Sequence, residues 1–373
     1  MSERRERTFL LTSESVTEGH PDKVCDYIAD SILDAHLAIN PKARVACEVL
    51  AKDDLVVVAG EFTEPGAIDT EAVVRAAIRE IGYVETGEPF NADGVRVQLQ
   101  LSKQSQEIKE GVDEDPGHAK EQGAGDQGIM FGYATDETPE RMPLPILLAH
   151  RLAKGLTDDR KSGRVPWLRP DGKTQVTAAY SETGPIEVTD VVVSTQHRDG
   201  TSQEEIRLYV ASDLSPRVLG RWMRSGIRFI VNPSGGFVLG GPSADCGVTG
   251  RKTVVDGYGG SARQGGGAFS GKDPSKVDRS AAYFCRLVAR RVVNEGLAKR
   301  AELQVSYAIG QARPVSIHVD TFGTGDAAKA EALARTFDFS PAAMIRTLGL
   351  EAPIYRGTTN YGHFGRPGLA WES

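Results

Sequence analysis

The sequence predicts an α+β protein assembled from three similar units. Three observations carry that prediction. At 373 residues the chain exceeds what one ordinary core needs. Apolar residues recur with both helical and strand periods. An order of helix, hairpin, helix and strand returns in each third of the chain, giving units at 8–107, 120–240 and 241–373 and a polar loop at 107–126.

The first unit has the clearest signals. Pro21 suits a first helical position, and Val24, Ile28, Ile32, Ala35 and Ile39 follow at helical spacing until Asn40-Pro41 stops the run. The β-rich runs 44–50 and 55–62, joined by Lys52-Asp53-Asp54, predict a hairpin. A helix over 69–81 is closed by Gly82, and Val95, Val97, Leu99 and Leu101 alternate as a half-buried strand. The middle unit repeats the order: helix 145–156, strands 175–180 and 186–195, a helical stretch after Ser202, and an apolar run at 229–231. The last predicts helix 278–297, strands 303–309 and 315–319, and helix 327–337.

Composition excludes several functions. With 40% hydrophobic and 25% charged residues and no apolar run near about eighteen residues, the chain belongs among globular proteins and does not span a membrane. A formal charge of -7 argues against general nucleic-acid binding, so an anionic substrate needs a local basic site. The charged start Ser2-Glu3-Arg4-Arg5-Glu6-Arg7 leads into only Phe9-Leu10-Leu11, too little for a signal peptide, and a cytoplasmic address is expected. Cys25, Cys47, Cys246 and Cys285 form no metal-like spacing and read as free thiols packed in a core.

Two glycine motifs mislead. Gly123-Ala124-Gly125-Asp126-Gln127-Gly128 has the letters of a dinucleotide fingerprint, but a polar stretch precedes it and Phe131-Gly132-Tyr133 opens no helix. Gly266-Gly267-Ala268-Phe269-Ser270-Gly271-Lys272 matches a P-loop up to its lysine, making a P-loop ATPase the competing reading. Asp273-Pro274 then supplies no metal-binding hydroxyl and interrupts helix geometry. Phosphate contact by Lys272 survives that objection.

Residues suited to phosphate and cation chemistry fall in separated clusters. His20-Pro21-Asp22-Lys23 sits at a helix N-terminus, where backbone N–H groups and the dipole favour anions. Asp171-Gly172-Lys173 reads either as a plain turn or as a further phosphate contact. Asp245 with Arg251-Lys252, and Lys272 with Lys276 and Asp278, bring four cations and two carboxylates into glycine-rich chain. That cation count suits a tripolyphosphate of about four negative charges.

Gly19-His20-Pro21-Asp22-Lys23, Gly123 to Gly128 and the run Gly265-Gly266-Gly267-Ala268-Phe269-Ser270-Gly271-Lys272-Asp273 resemble the signature segments of S-adenosylmethionine synthetases, from about Phe9 to Trp371. The resemblance implies three intertwined units with pseudo-threefold symmetry, and a homodimer with shared active sites that commonly pairs into a homotetramer. It implies ATP and L-methionine as substrates, with two Mg²⁺ and one K⁺ per site. His20 would meet the oxygen through which tripolyphosphate leaves C5′ of ATP. Lys173, Arg251, Lys252 and Lys272 match polyphosphate-binding cations, and His20, Lys173, Arg251 and Lys272 would be catalytic. Asp171, Gly236, Phe237, Asp245 and Ala268 match ATP-site positions. Glu61, Gln104, Asp126, Asp245 and Lys276 match positions around methionine. Asp22 and Asp278 match the Mg²⁺ ligands, and Glu48 the K⁺-site glutamate. The chain departs from the family in two places: Gly235-Gly236-Phe237 stands where Gly-Arg-Phe is common, and the loop at 113–119 is longer. A non-catalytic ATP-binding subunit on the same fold is a further alternative, against which the intact His20, Asp22, Lys272 and Asp278 argue.

A thioether sulfur has no proton to lose, so its attack on C5′ needs no general base. It needs alignment and stabilisation of negative charge on the leaving oxygen.

Overall fold

The computed structural model describes residues 8–104 and 121–373. The loop expected at 107–126 therefore lies outside the described residues as far as residue 120.

In chain order the longer elements are β1 (Phe9–Val16), α1 (Pro21–Ile39), β2 (Val45–Lys52), β3 (Leu55–Phe62), α2 (Thr70–Ile81), β4 (Arg96–Lys103) and β5 (Gly128–Thr135). Then come α3 (Leu144–Lys161), β6 (Leu168–Ser181), β7 (Gly184–His197), α4 (Gln203–Tyr209), β8 (Arg228–Val231) and the short β9 (Gly247–Val248). The chain closes with α5 (Val277–Asn294), β10 (Arg300–Tyr307), β11 (Ser316–Asp320), α6 (Ala327–Ala334) and α7 (Pro341–Leu348).

Local chemistry explains the elements that the sequence foretold. The Asp69 carboxylate caps α2 by accepting from the Ala72 N–H, and Gly82 ends it in the left-handed region. β2 and β3 pair antiparallel through a tight turn in which Asp53 takes φ 50°. The helix expected over 278–297 instead ends at Asn294, where the chain turns through Glu295 and a positive-φ Gly296. Residues 171–173 are no turn: they lie within β6, beside an irregularity in its pairing with β7 between Leu168 and Gly172.

Among the described residues three sheets form, in the orders β1-β6-β7-β8, β4-β3-β2-β9 and β11-β10-β5. Each is built on one hairpin, and each accepts an outside strand antiparallel to that hairpin's first strand. β1 joins β6 with Phe9 opposite Tyr180, β5 joins β10, and β9 joins β2. The strand preceding the first hairpin's helix thus completes the middle sheet, and the one before α3 completes the last. The strand before α5 completes the first. β4 and β8 add parallel partners to β3 and β7. The three α+β units are intertwined by this cyclic exchange.

α1 packs on β2, α3 on β1 and β6, and α5 on β5 and β10, so each sheet buries one face against a long helix. The β1-β6-β7-β8 sheet has its own apolar core, whereas the other two sheets share one. An ion pair between Asp30 on α1 and Arg279 on α5, 2.7 Å long with both side chains fully buried, ties these helices together. No helix of the described residues is long and apolar enough to cross a membrane.

Candidate active site

The strand exchange brings the start of α1 against β6 and β9. Thr17 donates its N–H to the Gly172 carbonyl at 2.9 Å and its hydroxyl to the Pro170 carbonyl at 2.7 Å. Val16 lies opposite Lys173 in the register. His20 caps α1, its Nδ1 accepting from the Asp22 backbone N–H at 3.2 Å. Because that donor is a backbone amide, the neutral ring carries its proton on Nε2. Burial, reinforced by Lys252 and Lys173, drives the His20 pKa down to about 3, so the imidazole is neutral at physiological pH.

Asp22 accepts from Lys252 Nζ at 2.5 Å and from the Val248 N–H at 3.0 Å, and Arg251 Nη1 lies 3.8 Å away. Burial raises the carboxyl pKa, but the Lys252 and Val248 hydrogen bonds and nearby positive charge outweigh it and hold it below the ordinary value. Asp171 is buried and accepts from the Gly241 N–H at 2.8 Å; burial pushes its pKa up to about 6 against that bond and Lys173. Phe237 is held by His197, whose Nε2 accepts the Phe237 N–H at 3.0 Å. Asp245 is exposed, and its carboxylate accepts from the Cys246 N–H. Gly236 lies beside Phe237 with open space where a side chain would project.

A second set of predicted residues gathers where the glycine run crosses β2. Gly271 takes φ +81°, and a Cβ there would stand 2.0 Å from the Cys47 carbonyl oxygen, so only glycine lets the run lie this close. Lys272 forms an isolated bridge to Ala46 and an ion pair with Asp278 in the first turn of α5. Gly267 lies against Asp278, and Ala268 against Gly250, next to Arg251. Glu48 projects from β2; burial raises its pKa, with Lys272 opposing. On β3, Glu61 lies opposite Ala46 of β2, and the Gln104 N–H extends the β3–β4 pairing by bonding the Phe62 carbonyl. Lys276 donates to Asp273 at 2.5 Å, and the Gly125 N–H to the Ser275 carbonyl sets the exposed Asp126 beside that turn.

His20, Asp22, Asp171, Lys173, Phe237, Asp245, Arg251 and Lys252 thus sit around the α1 start. Glu48, Glu61, Gln104, Asp126, Ala268, Lys272, Lys276 and Asp278 sit around β2 and the glycine run. Asp22 and Asp278 close on different lysines, and among the described residues no cluster of three or more His, Cys, Asp or Glu is spaced as a metal site. Neither decoy motif has its required context: the first runs into strand β5, which begins at Gly128, and a non-helical turn separates Lys272 from α5.

The sequence reading missed the supports. Lys23 is buried with Asp26 and Asp256, and His197 fixes Phe237. A lysine in the first turn of a helix, where the dipole repels it, was a usable signal for a buried anionic partner; His197 carried none.

Strand-exchanged α+β units that set lysines and arginines among carboxylates define the class of protein to which this chain belongs. The family models for the N-terminal, central and C-terminal domains of S-adenosylmethionine synthetase match residues 8–106, 121–237 and 239–373. The chain belongs to the S-adenosylmethionine synthetase family. It is 53% identical to the S-adenosylmethionine synthase of Akkermansia muciniphila over 378 residues, covering 99% of this chain and 96% of that protein. It is also 53% identical to that of Sorangium cellulosum over 370 residues, covering 98% and 88%.

Proposed function

We propose that this chain forms S-adenosylmethionine from ATP, L-methionine and water, by attack of the methionine sulfur on C5′ of ATP and hydrolysis of the displaced tripolyphosphate to phosphate and diphosphate. The observation that carries the reading is the state of His20. It is neutral, with its Nε2 proton available, and stands among Lys173, Lys252 and Lys23. Such a group donates a hydrogen bond to an oxygen that gains negative charge, without having to release a proton.

Lys173, Arg251 and Lys252 share the polyphosphate charge on one side and Lys272 on the other. Phe237, Asp171, Gly236 and Ala268 hold the nucleotide. Glu61, Gln104, Asp126, Asp245 and Lys276 orient methionine, with Lys276 toward its carboxylate. The hard oxygen donors of Asp22 and Asp278 fit Mg²⁺, two per site, and Glu48 with the adjacent Thr249 fits K⁺. When bound, these cations would neutralise polyphosphate charge. Hydrolysis reuses the same cation clamp, with Arg251 toward the terminal phosphate.

Two sets of residues around different elements suit a homodimer in which one subunit's α1 start faces the other's glycine run, with such dimers paired into a tetramer in the cytoplasm. The outward face of the β4-β3-β2-β9 sheet, with partly exposed Leu50, Leu55 and Val57 around Glu48, suits that contact. The units at 8–107, 120–240 and 241–373 and a substrate-responsive loop at 107–126 complete the proposal.

Incubation with ATP, methionine, Mg²⁺ and K⁺ should yield a sulfonium product with phosphate and diphosphate. ATP hydrolysis that ignores methionine would overturn the reading, and light scattering reads the oligomeric state.

A further inference from the structure

A cavity of about 780 Å³ opens between the end of α1 and α7, away from the His20 cluster. That volume fits a small metabolite. Pro274, Ala43 and the buried Ile345 supply apolar wall, and Lys42, Arg44 and Arg346 face it against Glu351, the single carboxylate among the described residues that line it. Lys42 and Arg346 are exposed and have no side-chain hydrogen bond or ion pair among the described residues. Gln122, only 8% exposed, lines the same cavity, and its amide nitrogen has no partner among the described residues. A buried donor left unsatisfied costs free energy that an acceptor on a ligand would return.

Arg44 connects the cavity to the site. Its Nη1 lies 3.7 Å from Oδ1 of the fully buried Asp273, whose Oδ2 accepts from Lys276 at 2.5 Å. Asp273 also accepts from the Val45 and Ser275 N–H groups, so the carboxylate is fixed while the two cations share it. An anion that draws Arg44 into the cavity leaves Lys276 the main cation on Asp273, and tightens that pair.

We propose that this cavity is an effector site for a small dianion, a dicarboxylate or a phosphate monoester, which acts on the methionine side of the active site through Arg44, Asp273 and Lys276. Binding is independent of the proposed reaction; the effect on methionine rests on it.

Succinate and glycerol 3-phosphate, titrated calorimetrically into the full chain without Mg²⁺ or substrates, separate the two chemistries. At least one should bind. Lys42→Ala and Arg346→Ala should each weaken it about fivefold, the range of a partly exposed charge contact, while Lys272→Met should not. No heat from either anion, or binding that survives Lys42→Ala with Arg346→Ala, overturns the site. With catalysis established, the bound anion should change KM for methionine with kcat held, and Arg346→Ala should move the change to about fivefold higher anion concentration. An unmoved KM overturns the effector role even where the anion binds. In a chain without synthetase activity, the calorimetric titration still decides whether the site exists.

Discussion

Lys23 Nζ lies 2.7 Å from Asp256 Oδ1, an ion pair spanning 233 residues of sequence with almost no solvent at either partner. Asp26 stands 3.0 Å from the same ammonium. Burial disfavours the charged lysine, but the two carboxylates outweigh it and hold its pKa above the usual range. The pair anchors the first turn of α1, one residue after Asp22. Lys23→Met should therefore cost about 3–5 kcal/mol, because it strands buried carboxylates. Adding Asp256→Asn should recover part of that loss. Urea midpoints at constant slope measure both; a Lys23→Met protein as stable as wild type contradicts the account.

His20 is expected to act as a neutral hydrogen-bond donor. His20→Ala should lower the single-turnover rate by about 10² to 10³, or ~3–4 kcal/mol. His20→Asn keeps a capping oxygen and a neutral N–H donor, so it should retain a larger share. With the His20 pKa held down to about 3 by burial, Lys252 and Lys173, the rate should show no histidine inflection near neutral pH that His20→Asn removes. A limb near neutrality that vanishes in His20→Asn would show an acid role instead.

The contribution of the buried histidines to stability should fall as pH drops below about 6.5, the unfolded histidine value. Burial, then Lys23 and Arg366, lowers the His150 pKa to about 3, so between these values the unfolded chain binds the proton and the folded chain does not. The stabilisation is complete above the unfolded value and is lost as pH falls toward the folded one. His20 and the fully buried His363 are shifted in the same direction. His150→Gln removes one such site and should flatten the dependence by about 1.4 kcal/mol per pH unit. Unfolding free energies across roughly pH 4 to 6.5 check it; an unchanged slope refutes it.

Gly236→Arg should fold normally, because nothing occupies the space beside Gly236 and its φ is outside the left-handed region. In the proposed site a guanidinium next to Phe237 would add a contact to the nucleotide, and KM for ATP should fall about 2- to 5-fold, the size of one solvent-exposed charge contact. A raised KM in a protein with an unchanged melting temperature would place Gly236 away from the nucleotide.

Much of this protein was legible in its sequence because the signals were local. The α1 and α2 helices, the β2–β3 hairpin and the closure of α2 by Gly82 each depend on residues within a few positions. Asp273-Pro274 disposed of the P-loop in the same way. Cation-rich and carboxylate-rich segments were recognisable by type. The sequence did not reveal how they are grouped, since sequence spacing says nothing of which strand receives which.

Tertiary structure decided what depends on distant pairing. Phe9-Leu10-Leu11 reads as a short apolar start, and only the β1-β6-β7-β8 sheet makes it an edge strand on β6 that sets Lys173 opposite Val16. Leu99 fits an alternating half-buried strand, yet it is 42% exposed because β4 lies at a sheet edge. The neutrality of His20 and the charge of Lys23 follow from burial and from partners that lie up to 233 residues away. Sequence sets which groups can ionise and which segments can form helix or strand. Desolvation and charge neighbours, which exist only once the strands have been exchanged, set the protonation states on which the site depends.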